Sequence, residues 1–200
     1  ENLGENQKAK NCYEKAIEIN PNYAEAHNNL GVIYQNLGEN QKAKNYYEKA
    51  IEIKPDYAST YYNLGVVNVE LGNLQNAIKY YEKAILFRNN HSDAHNNLGQ
   101  IFLKLGHHKK AISCFEHAIK IESNNSNAHN NLGLALKELG ELQKAKIHYE
   151  AALRINPSSD MYNSNYGYLL VNLNIVTPVS FSPFSRECST GEAPLHFGNS

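Results

Sequence analysis

One asparagine recurs within a repeated four-residue segment, and its amide is the best candidate binding group in the chain. The segment first reads Asn28-Asn29-Leu30-Gly31, and later copies follow at intervals of 34 residues. An amide offers two N–H donors and one acceptor oxygen, so it can bind both the C=O and the N–H of a polypeptide backbone. We call the recurring residues the asparagine column: Asn29, Asn63, Asn97, Asn131 and Asn165.

The nine histidines of the chain do not have the spacing of a metal site. His27, His95 and His129 share one place in the repeat, but helices of neighbouring repeats pack about 10 Å apart. The ligands of one zinc ion all lie about 2 Å from it. We interpret these histidines as half-buried packing residues and expect no metal and no cofactor. The sequence also lacks the phosphate-loop, zinc-protease and nucleophile-elbow motifs, so no catalytic residue is predicted.

The cysteines and the net charge indicate the compartment of the protein and the classes of partner that it lacks. Cys12 and Cys114 lie 102 residues apart, which is three repeat periods, whereas a disulfide needs Cα atoms within about 7 Å. Reduced thiols are typical of a cytoplasmic protein. The net charge of −1 argues against nucleic-acid binding. No apolar run is long enough to predict a membrane-spanning helix.

Each repeat predicts two helices joined by a short turn. In residues 24–57, Leu30 and Leu37 share one side of a first helix, and Gly38 marks its end. Apolar residues at helical spacing then form a second helix, which ends before Pro55. The chain is therefore predicted to be all-α, a stack of antiparallel helix hairpins. The plan recurs in residues 58–91, 92–125 and 126–159, with its second half in residues 1–23, after a helix end at Leu3-Gly4, and its first half in residues 160–173.

Small residues recur where the two helices of a hairpin should meet. Glycine inside a helix costs about 1 kcal/mol relative to alanine, so we expect close approach of the second helix to offset that cost. Alanines of the second helix supply the matching small surface, and an aromatic column is expected to fill the space between hairpins. The three columns are Gly31, Gly65, Gly99 and Gly133; Ala43, Ala77, Ala111 and Ala145; and Tyr47, Tyr81, Phe115 and Tyr149.

The 34-residue period, the Leu-Gly pair, the turn glycine, the alanine and aromatic columns and the frequent closing proline resemble the tetratricopeptide repeat. The resemblance covers residues 1–173. It implies a right-handed superhelical solenoid whose first helices line a concave groove, and a protein or peptide as partner. The aromatic residue that opens the family motif is replaced here by His27, Tyr61, His95 and His129.

The asparagine column is expected to lie in that groove. At about 100° per residue, Asn29 points about 100° away from the core side of its helix. The column resembles the asparagines that hold extended substrate protein in the repeat arm of O-linked N-acetylglucosamine transferases. With about 10 Å between repeats and about 3.3 Å per extended residue, one asparagine would serve about three peptide residues. Two alternatives remain open: the asparagines bridge adjacent helices, or they reflect drift in an asparagine-rich chain.

Other groove positions are expected to set the preference for peptide side chains. They are Tyr62, Val32, Val66, Gln100 and Leu134. None is basic, so the carboxylate clamp with which some tetratricopeptide proteins grip acidic C-terminal tails does not transfer to this chain.

The function expected from these features is that of a non-catalytic scaffold binding an extended polypeptide, with no nucleic-acid or membrane partner. One alternative is the substrate-recruiting arm of a larger transferase, suggested by a start in mid-repeat without methionine. Another is a structural solenoid that self-associates through its ends, suggested by the apolar segment of residues 160–173. Residues 174–200 contain three prolines and no helical period, so we expect a disordered tail.

Overall fold

The structure, a computed structural model, describes residues 2–173, with side chains from residue 5 onward. The predicted disordered tail and Cys188 lie outside the described residues. Within that range the chain forms ten helices and no strand, which confirms the predicted all-α array. The helices are α1 (Asn2–Ile19), α2 (Ala24–Asn36), α3 (Asn40–Ile53), α4 (Ala58–Glu70), α5 (Leu74–Phe87), α6 (Ser92–Lys104), α7 (His108–Ile121), α8 (Ser126–Glu138), α9 (Leu142–Ile155) and α10 (Asp160–Asn172).

Four hairpins form the centre of the array, each with a first helix of 13 residues and a second helix of 14. Each second helix also packs against the first helix of the next hairpin, so the apolar core continues from one hairpin to another. First helices touch one another as well, in the pairs α2–α4, α6–α8 and α8–α10. Because the first helices approach each other across hairpins, they form the inner side of the array.

The turn within each hairpin depends on a glycine in a left-handed backbone conformation, as at Gly106 with φ of 75°. The N–H of Gly106 donates to the C=O of Leu103 at 3.0 Å, and that of His107 donates to the C=O of Phe102 at 2.8 Å. This pair of bonds satisfies carbonyls that the end of α6 would leave open. The prediction that these glycines end the first helices is confirmed.

One helix boundary differs from the sequence prediction. The first helix begins at Asn2 and continues through Gly4, where the pattern predicted the end of an earlier helix. A helix can continue through a glycine at a cost of about 1 kcal/mol, so the Leu3-Gly4 pair alone does not impose an end.

The interior glycines face an aromatic ring of their own hairpin. A Cβ atom placed on Gly99 would lie 2.6 Å from Cε1 of Phe115, and one on Gly65 would lie 2.5 Å from Cε1 of Tyr81. Close approach is therefore the reason for the glycines, as the sequence suggested. The aromatic column, however, covers the glycine of the same hairpin, whereas the sequence pattern predicted that it fills the space between hairpins.

Asn68 is a polar residue in a core column that contains Tyr34, Phe102 and Leu136 in the other repeats. It is fully buried, and its Nδ2 donates to the C=O of Leu64 at 2.7 Å. Its Oδ1 has no hydrogen-bond partner among the described residues. A buried unpaired acceptor of this kind costs about 1–3 kcal/mol.

We therefore expect Asn68→Leu to raise the free energy of unfolding by about 1–2 kcal/mol, since it removes the unpaired oxygen and adds apolar contacts. Leucine already occupies this column at position 136. Urea denaturation followed by circular dichroism measures the change. Asn68→Asp, which buries a charge, should shift stability in the opposite direction. A lower denaturation midpoint for the leucine variant would contradict the argument.

Candidate functional site

The asparagine column lies on the inner, first-helix side of the array, and its members are half-buried. Four of them donate a hydrogen bond to the preceding repeat. The acceptor is Asn28 Oδ1 for Asn63 at 3.2 Å, Asn96 Oδ1 for Asn131 at 3.0 Å and Asn130 Oδ1 for Asn165 at 2.9 Å, while Asn97 donates to the Tyr62 hydroxyl at 3.3 Å. The column thus bridges adjacent repeats, as one of the alternatives from the sequence proposed.

The acceptors of these bonds are the first asparagines of the repeated segment, Asn28, Asn96 and Asn130, which are buried. Each also donates through Nδ2 to the oxygen of the column asparagine that follows it, at 3.2–3.3 Å. Amide groups therefore connect α10 to α8 and α8 to α6 without a break. Tyr62 replaces the buried asparagine in the repeat of residues 58–91 and interrupts the chain of amides there.

At Asn131 these contacts use only part of the hydrogen-bonding capacity of the amide, whereas Asn97 donates to both the Tyr62 and the Tyr81 hydroxyl. Asn131 donates one N–H to Asn96 and accepts one bond from Asn130. An amide has two N–H groups and an oxygen with two lone pairs, so one N–H and one lone pair of Asn131 remain for a ligand. The bridging bonds also fix the direction in which the amide points.

Two adjacent clefts lie on this inner side and contain much of the predicted site. The first has a volume of about 350 Å³ and includes Val66, Asn97 and Gln100 in its walls. The second has a volume of about 440 Å³ and includes Gln100, Asn131 and Leu134. The structure therefore brings five of the ten predicted residues together across α4, α6 and α8.

The other five predicted residues do not line the two clefts. Tyr62 is half-buried and its ring stacks on His91 with 4.7 Å between the ring centres. The pKa of the Tyr62 hydroxyl is raised by burial and by the nearby Asp93, and the hydrogen bond from Asn97 offsets part of this increase. Val32 is exposed on α2. The remaining three are Asn29, Asn63 and Asn165.

The clefts also contain residues that were not predicted from the sequence. Lys104 borders both clefts and Glu70 borders the first, where Glu70 accepts a hydrogen bond from Gln35 at 3.1 Å. Both follow a predicted groove residue, Val66 or Gln100, by four positions and so share its helix face. This four-residue spacing could have identified both residues from the sequence as groove positions. Met161 of α10 adds an apolar wall to the second cleft.

His27, Tyr61 and His129 share one column and close the loops that precede α2, α4 and α8. His27 Nε2 lies 2.9 Å from the C=O of Pro21, the Tyr61 hydroxyl 3.1 Å from the C=O of Pro55, and His129 Nε2 3.1 Å from the C=O of Ser123. A carbonyl only accepts hydrogen bonds, so each side chain must donate. These positions have a structural role, and no metal-binding group of three His, Cys, Asp or Glu residues occurs in the described part of the chain.

His129 and His148 form a pair, with their Nδ1 atoms 3.2 Å apart. Because Nε2 of His129 donates to a carbonyl, Nδ1 of neutral His129 accepts from Nδ1–H of His148. Burial, and then the neighbouring His129, lower the pKa of His148. Burial also lowers the pKa of His91, with a contribution from Arg88, and that of His95, with a contribution from His117.

The array should lose stability as the pH falls below about 6.5, because the unfolded chain then takes up protons that these three histidines resist binding in the folded state. Stability from a lowered histidine pKa is present above the unfolded value and is lost toward the folded one. We expect His148→Tyr, a residue found in this column at Tyr46 and Tyr80, to reduce the difference in melting temperature between pH 7.5 and pH 5.5. If the melting temperatures of the wild type and of His148→Tyr fell by the same amount, the pair of His129 and His148 would not contribute to the pH dependence.

Two cysteines are free within the described range, Cys12 on the surface and Cys114 partly covered. Burial raises the pKa of the Cys114 thiol to about 11, with a smaller contribution from Glu82. None of the described helices is long and apolar enough to cross a membrane.

Sequence models of the tetratricopeptide repeat match residues 23–85, 56–124 and 126–159, and a TPR repeat model matches residues 2–38. A search of curated proteins finds no match. Similar solved structures include MamA, with 28% identity over 77% of this chain and 90% of that chain and a TM-score of 0.71. The structure of YrrB, described as a TPR protein with an unusual peptide-binding site, has 26% identity over 81% of this chain and 84% of that chain, with a TM-score of 0.70.

A third similar structure is that of pilF from Pseudomonas aeruginosa, with 25% identity over 76% of this chain and 69% of that chain and a TM-score of 0.70. The sequence matches cover most of the ten-helix array, and the similar structures share its fold. The resemblance inferred from the repeat is thereby confirmed. The chain belongs to the tetratricopeptide repeat family, whose arrays are generally non-catalytic protein-interaction scaffolds.

Proposed function

We propose that this scaffold binds an extended polypeptide along the inner side of its first helices, with the asparagine column contacting the peptide backbone. The observation that carries the proposal is the arrangement of Asn97 and Asn131, which line adjacent clefts while their amides are oriented by bonds to the preceding repeat. Bridging and binding are compatible, because the bonds within the array use only part of the capacity of Asn131.

Backbone recognition suits the chemistry of the column. Peptide C=O and N–H groups recur along any extended chain about every 3.3 Å, and an amide side chain complements both. An oriented amide loses little conformational entropy on binding, which favours affinity. The partner would therefore be held largely independently of its sequence.

The cleft walls supply side-chain preference. Val66, Val69 and Ile101 line the first cleft, and Leu134 and Met161 the second. Such walls favour apolar side chains placed on either side of Gln100, which the two clefts share. The peptide-binding site described for YrrB, a structure similar to this chain over 81% of its length, supports the proposal by analogy.

The triple variant Asn63→Ala, Asn97→Ala and Asn131→Ala tests the proposal. Peptides about 12 residues long are first selected on the wild-type chain from a random phage-displayed library, and fluorescence anisotropy then measures their affinity. Each backbone hydrogen bond contributes about 0.5–1.5 kcal/mol, so the triple variant should bind at least about tenfold more weakly. The assay is run well below the melting temperature of every variant, because the same substitutions remove bonds between repeats.

The matched control replaces Asn11, Asn45 and Asn76 with alanine, three exposed asparagines on second helices. It should leave affinity unchanged. Unchanged affinity in the column variant, or a wild-type chain that enriches no peptide, would overturn the proposal. A lower melting temperature with full affinity would assign the column to bridging alone.

A further inference from the structure

The amide of Asn97 has no N–H group left for a ligand. Its Nδ2 donates to the Tyr62 hydroxyl at 3.3 Å and to the Tyr81 hydroxyl at 3.4 Å, and an amide nitrogen carries only two N–H groups. Its Oδ1 accepts from Asn96 at 3.3 Å and has one lone pair left. Within the first cleft, Asn97 can therefore accept a hydrogen bond from a peptide N–H but cannot donate one to a peptide C=O.

The hydroxyl of Tyr81 belongs to the wall of the same cleft and still has a hydrogen to donate. It accepts the bond from Asn97, and its own O–H has no acceptor in the part of the chain that the structure describes. The side chain of Tyr81 is only 1% exposed, so a ligand reaches the hydroxyl through the cleft. A buried donor without an acceptor is costly, and a ligand that supplies the acceptor gains affinity.

A comparison with Tyr47, in the same column, explains why the Tyr81 hydroxyl is available. The Tyr47 hydroxyl donates to the side chain of Gln35 at 2.8 Å, on the first helix of its own hairpin. The residue that corresponds to Gln35 in the hairpin of Tyr81 is Val69, whose side chain has no acceptor. The replacement of glutamine by valine therefore leaves a donor at the cleft where the preceding repeat has an internal hydrogen bond.

The charges around the first cleft favour a neutral acceptor. Burial raises the pKa of the Tyr81 hydroxyl, the bond from Asn97 offsets part of this increase, and Tyr62 and Glu70 add to it. The hydroxyl therefore keeps its proton at neutral pH and acts as a donor. Glu70 and Lys104 border the cleft with opposite charges, so a carboxylate gains no net attraction there, whereas a peptide C=O needs none.

We propose that the hydroxyl of Tyr81 donates a hydrogen bond to a backbone carbonyl of the bound peptide, while Oδ1 of Asn97 accepts one from a peptide N–H. The inference rests on the proposed function and adds a binding residue to it. In the second cleft, Asn131 has both an N–H and a lone pair available, so its amide alone serves both roles. The two clefts therefore bind the peptide backbone through different groups.

Tyr81→Phe removes the hydroxyl and keeps the ring, and phenylalanine already occupies this column at Phe115. Its affinity for the peptides selected on the wild-type chain, measured by fluorescence anisotropy, should fall about threefold to tenfold, as expected for the loss of one hydrogen bond. Tyr47→Phe is the matched control, because it removes a fully buried hydroxyl that donates within the array, and it should leave affinity unchanged. Equal affinities of Tyr81→Phe and the wild type would overturn the inference.

A second variant tests the hydroxyl while keeping it in place. Val69→Gln supplies an internal acceptor at the position that corresponds to Gln35, so it should occupy the O–H of Tyr81 and weaken binding to a similar extent. Because Asn97 keeps its bond to Tyr81 in this variant, no N–H is released that could replace the hydroxyl. Val69→Met, which has a similar length and no carbonyl, is the control for the altered cleft wall. Equal affinities of the glutamine and methionine variants would contradict the inference.

The group on the peptide is identified by replacing its backbone C=O groups, one at a time, with C=S, which is a weaker hydrogen-bond acceptor. One position should weaken binding to the wild type and to Tyr47→Phe but have little effect on Tyr81→Phe, since that variant has no hydroxyl to lose. If no position behaved in this way, the assignment of a backbone carbonyl to Tyr81 would be wrong. A wild-type chain that enriches no peptide would overturn the proposed function itself, whereas full affinity of Tyr81→Phe would overturn only the role of its hydroxyl.

Discussion

Replacing Gly99 with leucine should lower the free energy of unfolding by about 3 kcal/mol. Even a single added carbon would lie 2.6 Å from Cε1 of Phe115, whereas ordinary contacts begin at 3.4 Å. The ring has little room to move, because Phe115 is fully buried and belongs to one core cluster with Leu132 and Ala135 of α8. The hairpin must therefore open to accept the larger side chain. Urea denaturation followed by circular dichroism measures the loss.

Gln100→Leu is the control for Gly99→Leu. It adds a leucine to the same helix at the next position, which is exposed, so stability should change by less than about 0.5 kcal/mol. An unchanged denaturation midpoint for the Gly99 variant would show that close packing against the ring does not explain the glycine column.

Phe115→Ala should lower the free energy of unfolding by about 3–5 kcal/mol. The ring is fully buried and covers Gly99, so its removal leaves a cavity between α6 and α7. Gly99 faces this cavity and has no side chain to fill it, so the cost should lie near the upper part of that range. Thermal and urea denaturation give the magnitude, and hydrogen exchange should show the greatest loss of protection in these two helices.

Phe115→Tyr tests whether the shape of the ring alone accounts for its contribution to stability. Tyrosine stands in this column at Tyr47, Tyr81 and Tyr149, and the Tyr81 hydroxyl accepts from Asn97 at 3.4 Å. Asn131 follows position 115 at the same spacing at which Asn97 follows Tyr81. The variant should remain within about 1 kcal/mol of wild type. A loss as large as that of the alanine variant would mean that the column does not accept the two rings interchangeably.

The elements of the fold were predictable because their signals are local and repeated. Spacing of apolar residues identifies the helices, and turn glycines such as Gly106 mark their ends because few other residues adopt the required backbone conformation. Gly4 shows the limit of that signal. Gly4 lies inside α1, because glycine allows a helix to end but does not force it to end.

The candidate site was predictable in part. The helical wheel placed Asn97 and Asn131 away from the hairpin core, and in the structure both line the inner clefts. It did not show that their amides contact residues of the preceding repeat. A helical wheel describes directions around one helix, whereas these bonds depend on the rotation and offset between two hairpins.

The stack of helix hairpins could be inferred from the sequence alone, since the 34-residue period and the glycine, alanine and aromatic columns recur from repeat to repeat. The contacts that the columns make, in contrast, became visible only in the folded array. It placed each aromatic ring on the glycine of its own hairpin, joined the asparagines through buried amides, and added Lys104 and Glu70 to the clefts. The difference arises because helix formation depends on neighbours within a few residues, whereas clefts and bridges form only where separate helices are brought together at a particular angle and distance.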